Sequence, residues 1–527
     1  MSKASGFSET QIRRLMQPGK FGHPVENIRL VETHISWVIL TGSFAYKIKK
    51  PVDLGFLDFS TPEKRRFYCD EEIRLNRRLA ADYYLGVVSI RGSMEDPSWE
   101  GEGDVIEYAV KMRQFPQDAQ LDRLLARGKV DPSCMDAFAR LVADFHEKIA
   151  VAGSSLDQGS PGHVYHPVAE NLSVLMNLTE EQVRLTQLEI LKRWCRESFD
   201  SLQTLLVQRK EQGFIRECHG DMHLRNMACI DGEPLIFDCI EFNSELRWID
   251  VTSEIAFLVM DLLHNRKSAL AWRFLNTYLE CRGDYAGLRL LPFYLTYRAM
   301  VRAKIAAIRA SQPHISQDEK RSTEAEISKY LRLAEQCSHH QKPLLIITRG
   351  MSASGKSTWS SRLLEALGAI RIRSDVERKR LFGIAAKGSG RASYQEGIYS
   401  QAASKQTYAR LLQLAVPVLE AGYPVIIDAA FLQTAQRRPF QQLAGEMGLP
   451  YIILEFSASP AALRDRIQRR ADDVSDADLS VLEQQLRSWE GLEPDEASRA
   501  IVIDTENAPA IETLLEKIQA KAELPDR

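Results

Sequence analysis

This 527-residue chain lacks a long apolar run: stretches such as Ile255 to Met260 fall far short of the roughly 20 residues a bilayer helix needs. No membrane partner is expected. Its start, Met1-Ser2-Lys3-Ala4-Ser5-Gly6-Phe7, has no apolar core of the export-signal kind, so a cytoplasmic location is expected. The eight cysteines form no C-x-x-C pair and no regular spacing. That pattern argues against a disulfide framework or a cysteine metal site, and for reduced, mostly buried thiols. Neither sign of charge dominates. The net charge of −3 gives no global field to draw the protein onto nucleic acid or anionic lipid. Internal repeats and long low-complexity tracts are also missing. What is present is an ordinary globular balance, 44% hydrophobic and 26% charged, on a chain too long for one core.

Two regimes follow along the chain. His34 to Leu40, Phe44 to Lys49, Val87 to Ile90 and Val105 to Met112 read as strands, around one helix from Pro62 to Ala81 with Phe67, Ile73, Leu75 and Leu79 on its apolar positions. After Gln117 helices dominate (Leu121 to Leu125, Met135 to Ile149, Glu181 to Gln212, Ile249 to Leu263, Pro292 to Ile308), with a loop expected over Gly153 to Gly162. A β-rich lobe at about 25–115 and a helical lobe at about 116–310 are therefore expected in a domain over 1–310. A helical linker follows at 311–342. From 343 to 527 strands alternate with helices, which implies a parallel sheet sandwiched by helices.

Gly350-Met351-Ser352-Ala353-Ser354-Gly355-Lys356-Ser357 matches G-x-x-x-x-G-K-[ST] in full, with Thr358 next, between the apolar run Leu344–Thr348 and a helix. Backbone N–H groups and a helix N-terminus there can wrap a triphosphate. Lys356 can reach the outer phosphates and Ser357 can ligate Mg²⁺. Asp375 follows the next strand, where a carboxylate could take a proton from a hydroxyl, with Arg378 one turn on to hold substrate or phosphate. Ser374 and Asp375 equally suit a helix N-cap. Asp428 ends the strand Val425-Ile426-Ile427, a place for an acid acting on the Mg²⁺ shell. Arg466, Arg469 and Arg470 precede Asp472-Asp473-Val474-Ser475-Asp476. They read either as a lid bringing arginines such as Arg469 to the nucleotide or as a solvated basic face. These residues resemble the small P-loop kinases, a group with gluconate kinase, polynucleotide 5′-kinases and zeta-toxin-like kinases. The resemblance spans about residues 343 to 506. The Asp375-x-x-Arg378 spacing looks most like the polynucleotide kinases, whose acid is the base.

A second constellation is unrelated to the first. In His219-Gly220-Asp221-x-His223-x-x-Asn226, Asp221 can orient and deprotonate an acceptor hydroxyl and Asn226 can give a neutral oxygen to Mg²⁺. Asp238, ending Leu235-Ile236-Phe237, can supply the charged metal ligand. A hairpin turning at Asp231-Gly232 would bring it back to Asn226. Glu241 can add a further contact, and His223 reads as a brace for the loop. This set resembles the aminoglycoside phosphotransferase and choline kinase branch of the protein-kinase-like fold, over about residues 30 to 310. The resemblance implies Asp221 as base and Asn226 and Asp238 as metal ligands. It also implies a strand lysine, Lys47 or Lys49 with Lys47 preferred, paired with Glu72 or Glu71 with Glu72 preferred. Phe242 to Trp248 departs from the antibiotic kinases, without an acidic cluster suited to a polycationic drug.

The expected class is thus α/β and α+β: an N-terminal bilobal protein-kinase-like domain and a C-terminal P-loop NTPase domain. ATP and Mg²⁺ are the expected cofactors, and a small-molecule hydroxyl acceptor the expected partner. Two other readings stay open: one domain as a regulatory ATPase or ATP-sensing module, and a polynucleotide 5′-hydroxyl kinase. Arg371, Arg373, Arg378, Lys379, Arg380, Lys387 and Arg391 could hold polynucleotide phosphates, or one phosphorylated metabolite.

Overall fold

A computed structural model describes residues 7–523 apart from 56, 100, 154–155, 313–314, 340–342, 385–397, 399 and 470–478. Lys387, Arg391, Arg470 and Asp472 to Asp476 thus lie outside the described residues. Contacts divide the chain into two compact units, Met1–Pro167 with Gln203–Leu258, and Val168–Leu202 with Val259–Arg527. Residues 259–310, read from sequence with the first constellation, group by contact with the P-loop. No helix among the described residues is long and apolar enough to cross a membrane.

The first unit begins with α1 (Glu9–Leu15) and six strands, β1 (Arg29–Glu32), β2 (Ser36–Leu40), β3 (Phe44–Lys49), β4 (Tyr84–Gly92), β5 (Pro97–Trp99) and β6 (Val105–Arg113). They form one antiparallel sheet in the order β1-β2-β3-β6-β4-β5. Strand period two sorts β3: Tyr46 and Ile48 enter a core with Trp37, Ile39 and Trp99, so Lys47 and Lys49 share the opposite face. Helix α2 (Pro62–Ala80) starts at Thr61, whose hydroxyl accepts the Lys64 N–H, with Pro62 at the first helical position. It packs on β4 and β6 through Cys69, Ile73 and Ala80. Phe67, expected on its apolar face, is instead 59% exposed. Arg65, about 200° around the helix from Phe67, takes an inward position and pairs with Glu107.

Helices α3 (Leu121–Ala126), α4 (Pro132–Lys148), α5 (Pro161–Asn177) and α6 (Gln182–Glu211) follow. Neither α1 nor α5 was expected from sequence; α1 is short, and α5 carries an internal Pro167 that obscures its period. Then come β7 (Ile215–Glu217), the hairpin β8 (Met227–Ile230) and β9 (Glu233–Ile236), β10 (Trp248–Asp250) paired with β7, and α7 (Val251–His264).

The second unit takes Val168–Leu202 from α5 and α6 and, after α7, continues with α8 (Ser268–Arg282), α9 (Leu291–Ala310) and α10 (Gln317–Ser338), with α10 packed along α9. A five-stranded parallel sheet follows, β11 (Leu345–Arg349), β12 (Ile370–Arg373), β13 (Val425–Asp428), β14 (Tyr451–Ser457) and β15 (Ala500–Asp504), ordered β12-β13-β11-β14-β15. Its helices are α11 (Lys356–Leu367), α12 (Ser374–Leu381), α13 (Gln401–Glu420), α14 (Thr434–Glu446), α15 (Pro460–Gln468), α16 (Leu479–Arg487), α17 (Pro494–Arg499) and α18 (Ile511–Ala522). All five residues of β11 and all four of β13 are buried, as in a sheet covered on both faces.

Candidate active sites

In the first unit the lysine face of β3 meets Glu72 of α2. Lys47 Nζ lies 2.8 Å from Glu72 and 2.6 Å from Asp238 Oδ1, while Lys49, fully buried, pairs with the other oxygen of Glu72 at 2.7 Å and with Glu241. The structure thus separates the two lysines: Lys47 reaches the carboxylate after the hairpin, and Lys49 is locked inside. Glu71 turns to Arg74 instead. Burial opposes the charge on Lys47, yet Asp238, Glu72 and Glu241 together hold its pKa well above the ordinary lysine value. Glu241 is pushed up by burial and by the neighbouring Glu72 charge.

Asp238 sits at φ 64°, a left-handed conformation that Asp tolerates, and its N–H donates to the Tyr84 hydroxyl at 3.1 Å. The hairpin β8–β9 returns it beside Asn226, whose carbonyl accepts the Phe237 N–H. Asn226 Nδ2 donates to the carbonyl and to Oδ2 of Asp221, both at 3.0 Å. The amide oxygen of Asn226 is then the atom left for a cation. His223 accepts the Arg225 N–H on Nδ1 and places Nε2 at 3.3 Å from Asp221, so it does brace the loop. His219 donates from Nε2 to the Phe237 carbonyl at 2.9 Å, and burial depresses its pKa below the ordinary imidazole value.

Glu254 of α7 organises this loop from beneath, a role with no local sequence signature. It accepts the N–H groups of His219 at 2.8 Å and Gly220 at 2.6 Å, and faces His146 Nε2 at 3.2 Å. Gly220 is required there: at φ 90°, a Cβ would come within 2.8 Å of the Leu246 carbonyl. Burial works against the Glu254 carboxylate, but His146, His219 and the backbone donors hold its pKa down at about 2. Because that pKa is depressed in the folded state, its stabilisation is present above the ordinary value of 4.5 and is lost as pH falls towards 2. We expect Glu254→Gln to remove roughly 3 kcal/mol of pH-dependent stability across that window. Urea unfolding at a series of pH values from 2.5 to 7 checks this: the variant's profile should be flatter.

In the second unit the P-loop joins β11 to α11. Gly350, at φ 153°, cannot carry a side chain, since a Cβ would lie 2.6 Å from both the Phe456 carbonyl and Ser354 Oγ. Ser354 Oγ is buried with no hydrogen-bond partner among the described residues. An unmet buried hydroxyl inside a loop of N–H donors fits an oxyanion ligand. Lys356 Nζ donates to the carbonyls of Gly350 (2.9 Å) and Met351 (2.7 Å). Ser357 and Thr358 follow in the first turn of α11. The Ser352 N–H donates to Gln485 Oε1 of α16 at 2.7 Å, an acceptor that stands where a phosphate oxygen could. Asp428, buried at the end of β13, accepts from Ser360 Oγ at 3.0 Å.

The remaining expected residues are placed as follows. Asp375 is half-buried in the first turn of α12. Arg378 donates to the Ile398 carbonyl at 2.8 Å and to Ser404 Oγ, beside the start of α13. Arg469 is exposed and pairs with Asp465 at 2.9 Å. Arg466, not Arg469, touches the P-loop, donating to the Ala353 carbonyl and to Thr505. Sequence reading missed Glu254, Gln485 and Asn76, whose Oδ1 accepts the Cys239 N–H. Each lies inside a helix with no motif around it, so its partner is visible in three dimensions alone.

Residues 345–492 match a family described as an AAA domain. Among solved structures, amicoumacin kinase hAmiN in complex with AMP-PNP, Ca²⁺ and Ami is 14% identical, over 62% of this chain and 93% of that one, with a TM-score of 0.38. A gluconokinase from Sinorhizobium meliloti is 21% identical over 34% of this chain and 91% of that one, with a TM-score of 0.24. In the first unit the strand lysine Lys47, the helix glutamate Glu72 and the hairpin carboxylate Asp238 lie together, with Asp221 and Asn226 hydrogen-bonded to each other in the loop before the hairpin. The glycine loop Gly350–Ser357 joins β11 to α11 in a parallel sheet of order β12-β13-β11-β14-β15, within the matched AAA region. Over 463 residues, 87% of this chain and 90% of its relative, the sequence is 32% identical to the uncharacterized protein Rv2004c of Mycobacterium tuberculosis, and it belongs to the same family.

Proposed function

We propose that this chain carries two Mg·ATP sites, each transferring a γ-phosphoryl group to a hydroxyl, and that the first acts on a small-molecule alcohol. The observation that carries the reading is Lys47 held between Glu72 and Asp238 next to the Asp221–Asn226 pair. When bound, Mg²⁺ would neutralise charge on the β and γ phosphates. Asn226 and Asp238 offer oxygen donors of the hard type that this cation takes. Lys47, fixed by Glu72, presents its ammonium to the α and β phosphates. Asp221 orients the acceptor hydroxyl and receives its proton, and His223 and Asn226 fix the carboxylate for that step.

In the second site the P-loop amides and Lys356 bind the phosphates, Ser357 and Asp428 serve the cation, and Asp375 takes the acceptor proton, with Arg378 supporting α12. A small acceptor is favoured over a polynucleotide because three of the described arginines of the basic run are engaged internally. Arg371 pairs with Glu280, Arg380 with Glu377, and Arg378 with the Ile398 carbonyl.

An acceptor screen with γ-labelled ATP tests the reading. Asp221→Asn should abolish one labelled product, by a factor on the order of 10²–10⁴ in rate, and leave products of the P-loop site unchanged. If every product survives in this variant, the first site is a regulatory nucleotide module and not an enzyme.

A further inference from the structure

Helix α8 lies outside the matched AAA region, yet it closes the open edge of that sheet. Strand β12 is the edge strand, and an exposed edge leaves backbone donors and acceptors unpaired. The buried Asn276 supplies the missing neighbour: its Nδ2 donates to the Ala369 carbonyl at 2.9 Å and its Oδ1 accepts the Arg371 N–H at 2.7 Å. A single side-chain amide thus acts as one residue of a further strand.

One turn on, Glu280 projects to the two arginines of the same strand. Its Oε1 accepts from Arg371 Nε at 3.0 Å and Nη2 at 2.6 Å, and its Oε2 lies 3.8 Å from Arg373 Nη1. Both arginines also face the P-loop machinery. Arg371 Nη1 donates to Ser361 Oγ at 2.6 Å, and to Ser360 Oγ and the Ser357 carbonyl at 3.3 Å. Arg373 Nε lies 3.9 Å from Asp428 Oδ2, the oxygen that already accepts from Ser360. Arg373 therefore stands between two carboxylates, Glu280 and Asp428. Whichever holds it more closely leaves the other available to a different cation.

We propose that Glu280 is a positioning residue for the P-loop site: by holding Arg371 and Arg373 it keeps the Asp428 carboxylate available to the divalent cation. The proposal rests on reading Asp428 as part of that cation's shell. Without the Glu280 charge, Arg373 would relax onto Asp428 and compete with the metal. Arg371 would lose the anchor that aligns it against Ser357 and Ser360. The P-loop enzyme would then depend on a helix that its own sequence motifs do not include.

The test uses the full-length chain carrying Asp238→Ala, so that the P-loop site alone is read. ATP binding is titrated by calorimetry with and without Mg²⁺, and the Mg²⁺ concentration for half-maximal tightening is recorded. Glu280→Gln, which keeps the shape and removes the charge, should raise that concentration about tenfold while metal-free affinity stays within about twofold. Adding Arg373→Met should restore the original requirement, because the released cation is gone; Arg373→Met by itself should leave it within about twofold. A structural role for Glu280 would weaken metal-free and metal-bound affinity together and would not be rescued. An unchanged requirement in Glu280→Gln, or failure of the rescue, overturns the proposal and leaves the P-loop reading standing. If the background chain binds no ATP at all, the reading of the second site falls, and this inference with it.

Discussion

Lys356→Ala is expected to lower the calorimetric stoichiometry for Mg·ATP from the proposed two per chain to one. Lys356 is the P-loop cation, and Nζ is held by the carbonyls of Gly350 and Met351, within the loop that would receive the phosphates. Truncating one partner of a desolvated charge pair costs about 2–5 kcal/mol, or roughly 30- to several-thousand-fold in affinity. That is enough to remove the site from a titration at ordinary concentrations. The remaining equivalent belongs to the first unit, whose lysine, Lys47, sits on a different fold. The fold should persist, because Lys356 is only half-buried and its ammonium bonds to carbonyls of the loop rather than to the sheet core. A stoichiometry still at two would remove the P-loop from the account. One at zero would mean that the first constellation holds no nucleotide.

The largest stability effect is expected at Lys49. Its ammonium is fully buried between Glu72 and Glu241, two carboxylates that are themselves out of water. Burial opposes its charge, yet Glu241 and Glu72 hold its pKa well above the ordinary lysine value. Lys49→Met leaves those acids sharing Lys47, and an uncompensated buried charge costs about 3–5 kcal/mol. Urea unfolding monitored by tryptophan fluorescence should show a loss of that size at neutral pH. The companion Lys49→Met/Glu241→Leu variant should recover at least half of it, since removing both ends of a buried pair leaves no orphan. Equal destabilisation in the two variants would mean that Lys49 acts by packing, for instance over the Phe59 ring 4.9 Å away, and not by charge.

The two sites were legible to different depths. The P-loop is written locally, as strand, glycine turn and helix in one stretch, so residues 344 to 358 of the sequence suffice to locate it. The catalytic loop is also local, and the hairpin spacing from Asn226 to Asp238 fixes their approach through one turn at Asp231-Gly232. Strand alternation puts Lys47 and Lys49 on one face but cannot choose between them. The reach of α2 and of the hairpin adds the difference between them: Glu72 lies beside both, Asp238 beside Lys47 and Glu241 beside Lys49.

Periodicity failed where charge was buried. Phe67 reads as a core residue because apolar spacing assumes an apolar interior, whereas Phe67 is exposed and Arg65 is buried, paired with Glu107. Glu254 under the catalytic loop and Asn276 and Glu280 against β12 are single polar residues in helices, with no motif around them. What the sequence determined by itself was chemistry confined to one turn or one strand, where neighbours along the chain are neighbours in space. What the tertiary structure decided was which distant side chains orient that chemistry, because a buried polar group is satisfied by whatever packing brings to it, at any separation along the chain.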